Sequence, residues 1–228
     1  MNGQENELTV REQKTVARKR VIVECAFGMF AEKGIDNISM NDIAEESGIG
    51  VASLYRYFQT KEELAIEVAT YAWNIEKAVF TGVFSSEQYG ALDGFNQISE
   101  LLEVFEDALV TQRSFFSFVY YFDSFIKKEN VQSDRLTEYE AAIAETNMIV
   151  VHALEKGIND GSISFRESEN EVLAKASTQE MFITMMHSLF CLAQKLSISG
   201  ELLSQDKTVE ERRQIEILIN MILVALKK

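Results

Sequence analysis

The 228-residue chain contains no proline. Nothing therefore forbids long uninterrupted helices, and glycine must do the punctuation. Cysteine is scarce: Cys25 and Cys191 each stand in an apolar helical context. This argues for buried free thiols in a reducing compartment and against a disulfide or a thiolate metal site. Histidine is as rare. His152 and His187 fall on separate helical segments without carboxylates at ligand spacing, so neither a metal site nor a catalytic base is expected. The sequence has no glycine-rich phosphate loop and no nucleophile elbow. The Glu-Glu pairs at 45–46, 62–63 and 210–211 read as solvated helix faces. An enzyme is not expected, nor a cofactor. The stretch MNGQENELTVREQ lacks the apolar core of a signal peptide. The longest apolar run, 181–193, is interrupted by Thr184, His187 and Ser188 and is too short to span a bilayer. A cytoplasmic protein without a membrane partner is the expectation.

Positive charge is also in short supply, with 22 Lys and Arg against 36 Asp and Glu and a net charge of −14. The deficit is uneven. Residues 1–61 hold 8 basic and 9 acidic residues, and residues 62–228 hold 14 and 27. Arg11, Lys14, Arg18, Lys19 and Arg20 cluster near the start of the first long helical pattern, where a local field can matter more than the total. Two readings of that cluster stand: a solvated helix start, or a phosphate-facing patch.

What the chain does have is helical periodicity from end to end. The stretch it is organised around is Ser39–Leu64. Met40, Ile43 and Ala44 mark the apolar face of a short helix that Ser39 caps, with Asp42 at its third position. Val51, Leu54, Tyr55 and Phe58 mark that of a second. Between them Gly48 can end the first helix and Ile49 can plug the angle. The pattern predicts a helix-turn-helix whose second helix can enter a DNA major groove. Its outward face is small and polar: Ala52, Ser53 and Arg56, with Tyr57 at the edge. Arg56 suits guanine or phosphate, and a tyrosine hydroxyl suits phosphate. Thr60 to Glu63 reads as a capping box opening the next helix at Lys61.

This stretch resembles the DNA-binding domain of the TetR family of tetracycline-repressor-like regulators. The resemblance rests on Asp42-Ile43-Ala44, Ser47-Gly48-Ile49, Leu54-Tyr55-Arg56-Tyr57-Phe58 and Lys61-Glu62-Glu63-Leu64, and covers roughly residues 18–66. The Tyr-x-Tyr-Phe-x-x-Lys-Glu-x-Leu run is its most specific part. Gly50 stands where the family often has a capping serine, and Val51 where a polar or basic residue is common. The resemblance implies DNA contacts by Lys19, Ser39, Met40, Gly50, Val51, Ala52, Ser53, Tyr55, Arg56, Tyr57 and Lys61.

The remaining patterns predict an all-α fold of about nine helices in two units, residues 1–60 and 61–228. Residues 1–12 read as loose. Helices are expected over 15–33, 61–79, 92–111, 133–156, 169–196 and 209–227, with another in the aromatic block that begins at Phe115. A loop is expected over 82–94. The stripe of the 61–79 helix reads as Leu64, Val68, Tyr71, Ala72 and Ile75. The last helix is apolar on more than one face, and the 169–196 and 209–227 helices are expected to form a four-helix bundle in a homodimer.

The aromatic block and the Met-rich 181–190 segment are ordinary core or, as a set, the wall of an adaptable apolar cavity. The family resemblance implies a small effector there, with Trp73, Phe105, Phe118, Tyr121, Phe122, Phe125, Phe182, Met186 and His187 as candidate contacts. Tyr120 is a further polar candidate. The implied function is a repressor released from a palindromic operator by a small, largely apolar effector. An activator or ligand-independent regulator with the same head is the alternative. Further off stands an all-helical carrier or enzyme with a vestigial head.

Overall fold

Capping side chains decide where the helices begin. In the computed structural model, which describes residues 9–200 and 202–227, the Thr9 hydroxyl accepts from the Glu12 amide, and the Glu12 carboxylate takes the Thr9 N–H at 2.8 Å. This box starts α1 at Val10–Lys33, five residues ahead of the sequence expectation. The expected loose stretch is thus helical from Val10, and residues 1–8 lie outside the described residues. Ile22, Ala26 and Phe30 form the buried stripe of α1 at four-residue spacing. Gly34 then ends it with φ +79°, a left-handed value that favours glycine.

Helices α2 (Met40–Glu46) and α3 (Val51–Tyr57) follow, then α4 (Lys61–Phe84) and the short α5 (Glu87–Ala91). The expected loop from residue 82 is therefore mostly helical. Gly82 has no tertiary neighbour to close on, and α4 runs through it until Ser85. The buried stripe of α4 is Leu64, Ala65, Val68, Ala69, Ala72, Trp73 and Glu76. Ile75, assigned to the stripe from sequence, is exposed instead.

The body adds α6 (Gly94–Thr111), α7 (Arg113–Lys128) and α8 (Thr137–Asp160). It closes with α9 (Glu171–Lys175), α10 (Thr178–Ile198) and α11 (Glu211–Leu226). Gly157 does not end α8. It lies inside the helix, where its backbone touches Gly94 at the start of α6, and the turn comes at Gly161 with φ +78°. The expected 169–196 helix is two pieces, because the Ser177 hydroxyl and Glu180 form a capping box that restarts the chain as α10. Described residues include no strand, and the architecture is all-α. α4 and α6 both pack against α8. α7 lies between α1 and α10.

α10 is 21 residues long and apolar enough, on length and composition, to cross a membrane. Counting only 181–193 understated it. In the fold its Phe182, Met185, Leu189, Ala193 and Leu196 form a buried stripe, the pattern of a core-facing helix.

The head and body meet at α1 and α7. Phe27 and Phe118 sit with ring centroids 5.4 Å apart. A Cβ built on Gly34 would lie 3.2 Å from the Tyr121 ring, so the end of α1 seats that ring directly. Lys128 donates to Asp36 at 2.8 Å across the same joint.

Candidate nucleic-acid interface and effector cavity

The turn between α2 and α3 is built as the residues require. Gly48 has φ +65°, and Ile49 donates its N–H to the Ala44 carbonyl at 3.0 Å while packing against the core. Leu54 and Phe58 are fully buried beneath α3. Val51 and Tyr55, counted with the apolar face from sequence, are instead 39% and 47% exposed. They join Ala52 and Arg56 on the open surface, so the outward face is wider and less polar than expected. Ser53 and Tyr57 are half-buried at its edges. Gly50 caps α3 without a side-chain hydrogen bond.

Four of the expected contacts sit differently. Met40 is buried, 6% exposed, with its side chain in the head's core. The Ser39 hydroxyl accepts from the Asp42 N–H and donates to Asp42 Oδ2 at 2.7 Å. It is committed to the cap, and Asp42 brings a carboxylate whose pKa these bonds lower. Lys61 is half-buried with Nζ 5.8 Å from the Phe125 ring centroid, and desolvation lowers its pKa. Lys19 likewise leans over the Phe58 ring at 5.2 Å. At α4 the Thr60 hydroxyl accepts from Glu63 N–H as expected, but Glu63 reaches back to Gln59 rather than to Thr60.

The basic cluster and the recognition helix come together. Arg11, Lys14 and Arg18 line an open groove whose far wall is Tyr57. The Arg56 guanidinium stands 5.6 Å from the Tyr57 ring centroid. A convex, weakly polar helix beside a basic groove can meet a groove edge and a phosphate backbone at once. Arg20 is turned away, paired with Glu24 at 2.8 Å, and Glu24 also accepts from the Tyr71 hydroxyl on α4.

The body encloses a slim cavity of about 40 Å3 between α4, α6, α7, α8 and α10. Five rings meet around it. Trp73 stands edge-on to Phe115 at 5.1 Å and stacks on Phe190 at 5.7 Å. Phe116 touches Phe105, Phe115 and Phe190 at 5.4–5.6 Å. Of the sequence candidates, Trp73, Phe105 and Met186 line this cavity. Phe182 and His187 line an open groove on the other side of Trp73. Phe118, Phe122 and Phe125 are buried elsewhere, Phe118 at the head joint and Phe122 against Tyr139. Tyr121 belongs to the Gly34 joint, and Tyr120 is exposed.

Phe115, Phe116, Met185 and Phe190, expected from sequence only as members of the aromatic and Met-rich sets, line it too, whereas Glu76 was not expected there. Glu76 is 6% exposed, and burial pushes its carboxyl up to about 7. With its amide turned nitrogen-inward, Gln112 donates to both Glu76 oxygens. The available signal was position: Glu76 falls three and four residues from Trp73 and Phe80, on the stripe. Among the described residues no group of three His, Cys, Asp or Glu can hold a metal.

A helix-turn-helix head on an all-helical body with an aromatic cavity defines the class. A family model described as bacterial regulatory proteins, tetR family, matches residues 22–68. An HTH-type transcriptional regulator of Staphylococcus aureus strain bovine RF122 / ET3-1 is 45% identical over 53 residues, 23% of this chain and 29% of that relative. The chain thus spans less than a third of the length of that curated relative. A TetR-family transcriptional regulator from Agrobacterium tumefaciens has the same fold, with TM-score 0.69, 15% identity, and coverage of 94% of this chain and all of that one. A transcriptional regulator from Saccharomonospora viridis, solved in complex with choline, superposes with TM-score 0.66 at 15% identity, covering 90% of this chain and 96% of that one. Residues 22–68 thus match the tetR-family model, and the chain as a whole shares the fold of these two solved regulators.

Proposed function

We propose that this protein is a DNA-binding transcriptional regulator, a repressor whose hold on a palindromic operator is released when a small ligand fills the body cavity. The observation that carries the reading is α3, whose exposed face lies beside the Arg11–Lys14–Arg18 groove. Residues 1–60 serve as the DNA-binding unit and 61–228 as the effector and dimerisation unit. The outer faces of α10 and α11, with Ile183, Ile217, Met221 and Val224 exposed, supply a dimer seam. Two-fold symmetry then sets two copies of α3 on half-sites one turn apart, about 34–36 Å.

α4 couples the two events. It begins at the head with Lys61 and carries Trp73, Glu76 and Phe80 into the cavity wall. The cavity as it stands is far below the roughly 300 Å3 of a ligand pocket, so an occupant must displace its lining. Met185, Met186 and Phe190 are the adaptable side. Reversing a 99:1 population needs about 5.5 kcal/mol of differential binding. Burying a few hundred Å2 of apolar ligand at roughly 25 cal/mol per Å2 is of that order. The choline complex of the Saccharomonospora viridis regulator supports a small-molecule site in this fold.

The test is operator binding across salt concentrations, using fragments selected from genomic DNA. A steep negative salt slope is expected. Tyr57→Phe and Lys61→Ala should weaken binding to every sequence, whereas Arg56→Ala should also relax base preference and cost about 1–3 kcal/mol. Unchanged binding in all three variants removes the contact assignment. Deleting the gene should raise reporter expression; a fall identifies an activator. A monomer at working concentration in sedimentation rules out the paired heads.

A further inference from the structure

Among the described residues Glu76 is the single charged side chain lining the cavity; the other lining residues are apolar apart from Thr146 and Asn147. Among the described residues its carboxylate has no basic partner. Gln112 is its hydrogen-bonding neighbour. The nearest cations along the chain are committed elsewhere: Lys77 pairs with Glu145, and Arg113 pairs with Glu211 and the Leu196 carbonyl. A buried carboxylate without a counter-ion is costly, and packing alone does not call for one at this position. The aromatic rings around it offer electron-rich faces, which attract cations.

We propose, on the reading that the body binds an effector, that the cavity takes a hydrophobic cation, an amine or quaternary ammonium whose nitrogen sits against Glu76 and the rings of Trp73, Phe115 and Phe190. The ligand supplies the charge the carboxylate lacks, and its apolar bulk spreads along α6 and α10. An anion meets repulsion from Glu76, and a neutral ligand leaves the acid unpaired. The wall shared with the open groove is made of Trp73, Asn147, Met186 and Phe190, and the groove also carries Asp123 and His187. Asp123 adds a second negative group on the outer side of that wall. Because Gln112 caps the α6–α7 junction, a cation that draws Glu76 away from it acts on α4, α6 and α7 together.

Trp73 is the only tryptophan in the chain, so its fluorescence reports cavity occupancy without DNA. Titrations with 4-phenylbutylamine, 4-phenylbutan-1-ol and 4-phenylbutanoate compare three charges on one skeleton. At pH 8 the amine is expected to bind at least about tenfold tighter than the alcohol, with the acid weakest. Protonation of Glu76 should cut the amine's advantage by about tenfold per pH unit below its pKa near 7. Glu76→Gln should erase both the preference and its pH dependence. Equal affinities for amine and alcohol in the wild type, or an amine preference that survives Glu76→Gln, overturns the proposal. The wild-type ranking of amine over alcohol decides the matter even if the variant folds poorly. A parallel assay of DNA release separates the two readings. Glu76-dependent amine binding that leaves DNA bound sinks effector release and keeps this inference. Alcohol or acid that binds better and frees DNA does the reverse.

Discussion

Head and body are built on opposite economies of information. In the head, short helices meet at fixed angles, and single residues set them: Gly48 for its φ, Ile49 for the plug, Ser39 with Asp42 for the cap. In the body, long helices present broad apolar stripes, and many side chains could fill the same volume. The matches divide the same way. The family model matches residues 22–68 alone, while the whole-chain likeness holds at 15% identity. A surface that must seat on a duplex is specified residue by residue, whereas a cavity wall needs only volume and a few placed polar groups.

The sharpest way to break that contrast is to charge the head's core. Leu54→Asp buries a carboxylate at a fully enclosed site and should cost about 4 kcal/mol or more, abolishing DNA binding. A thermal melt and an operator-binding assay check it; a stable, binding variant means the head is as tolerant as the body.

Next is Glu76, the one buried acid among the described residues. Glu76 has its pKa raised from 4.5 to about 7, so the folded chain holds this proton more tightly than the unfolded chain. Stability should therefore fall as pH rises from about 4.5 to 7 and level off above. Glu76→Gln removes the dependence and should be the more stable protein at pH 8, by up to about 3 kcal/mol, with the difference fading near pH 4.5. Denaturant melts at several pH values test the sign.

At the joint between the units, Gly34→Ala forces a left-handed side-chain residue against Tyr121 and should cost about 1–2 kcal/mol. The smallest effect is expected from Lys128→Ala, which removes an exposed ion pair to Asp36 worth under about 1 kcal/mol. If Lys128→Ala proves the larger loss in paired melts, charge rather than ring seating holds the joint.

How far the sequence could be read follows the same division. The helix-turn-helix, its caps and the helical plan were legible because periodicity and capping residues are local signals. Boundaries slipped where a weaker signal was passed over: Thr9 with Glu12 starting α1, and Ser177 with Glu180 restarting α10. The cavity was half legible. Trp73, Phe105 and Met186 were placed, but the α7 aromatics could not be sorted, since a helix apolar nearly all round does not say which ring faces which neighbour. Phe115 and Phe116 face the cavity, and Phe118 and Tyr121 face the head, only because α1 packs on the other side of α7. Glu76 escaped because acidic residues are assumed to point outward.

The unbroken run of α4 has a geometric consequence. Lys61 lies 15 residues before Glu76, about 22 Å along the axis at 1.5 Å per residue. Pivoting such a lever by about 10° at the cavity swings its far tip by about 4 Å. In the symmetric pair proposed above, the two displacements would add to about 8 Å against the roughly 34–36 Å repeat of the duplex, enough to put one head out of step with its groove.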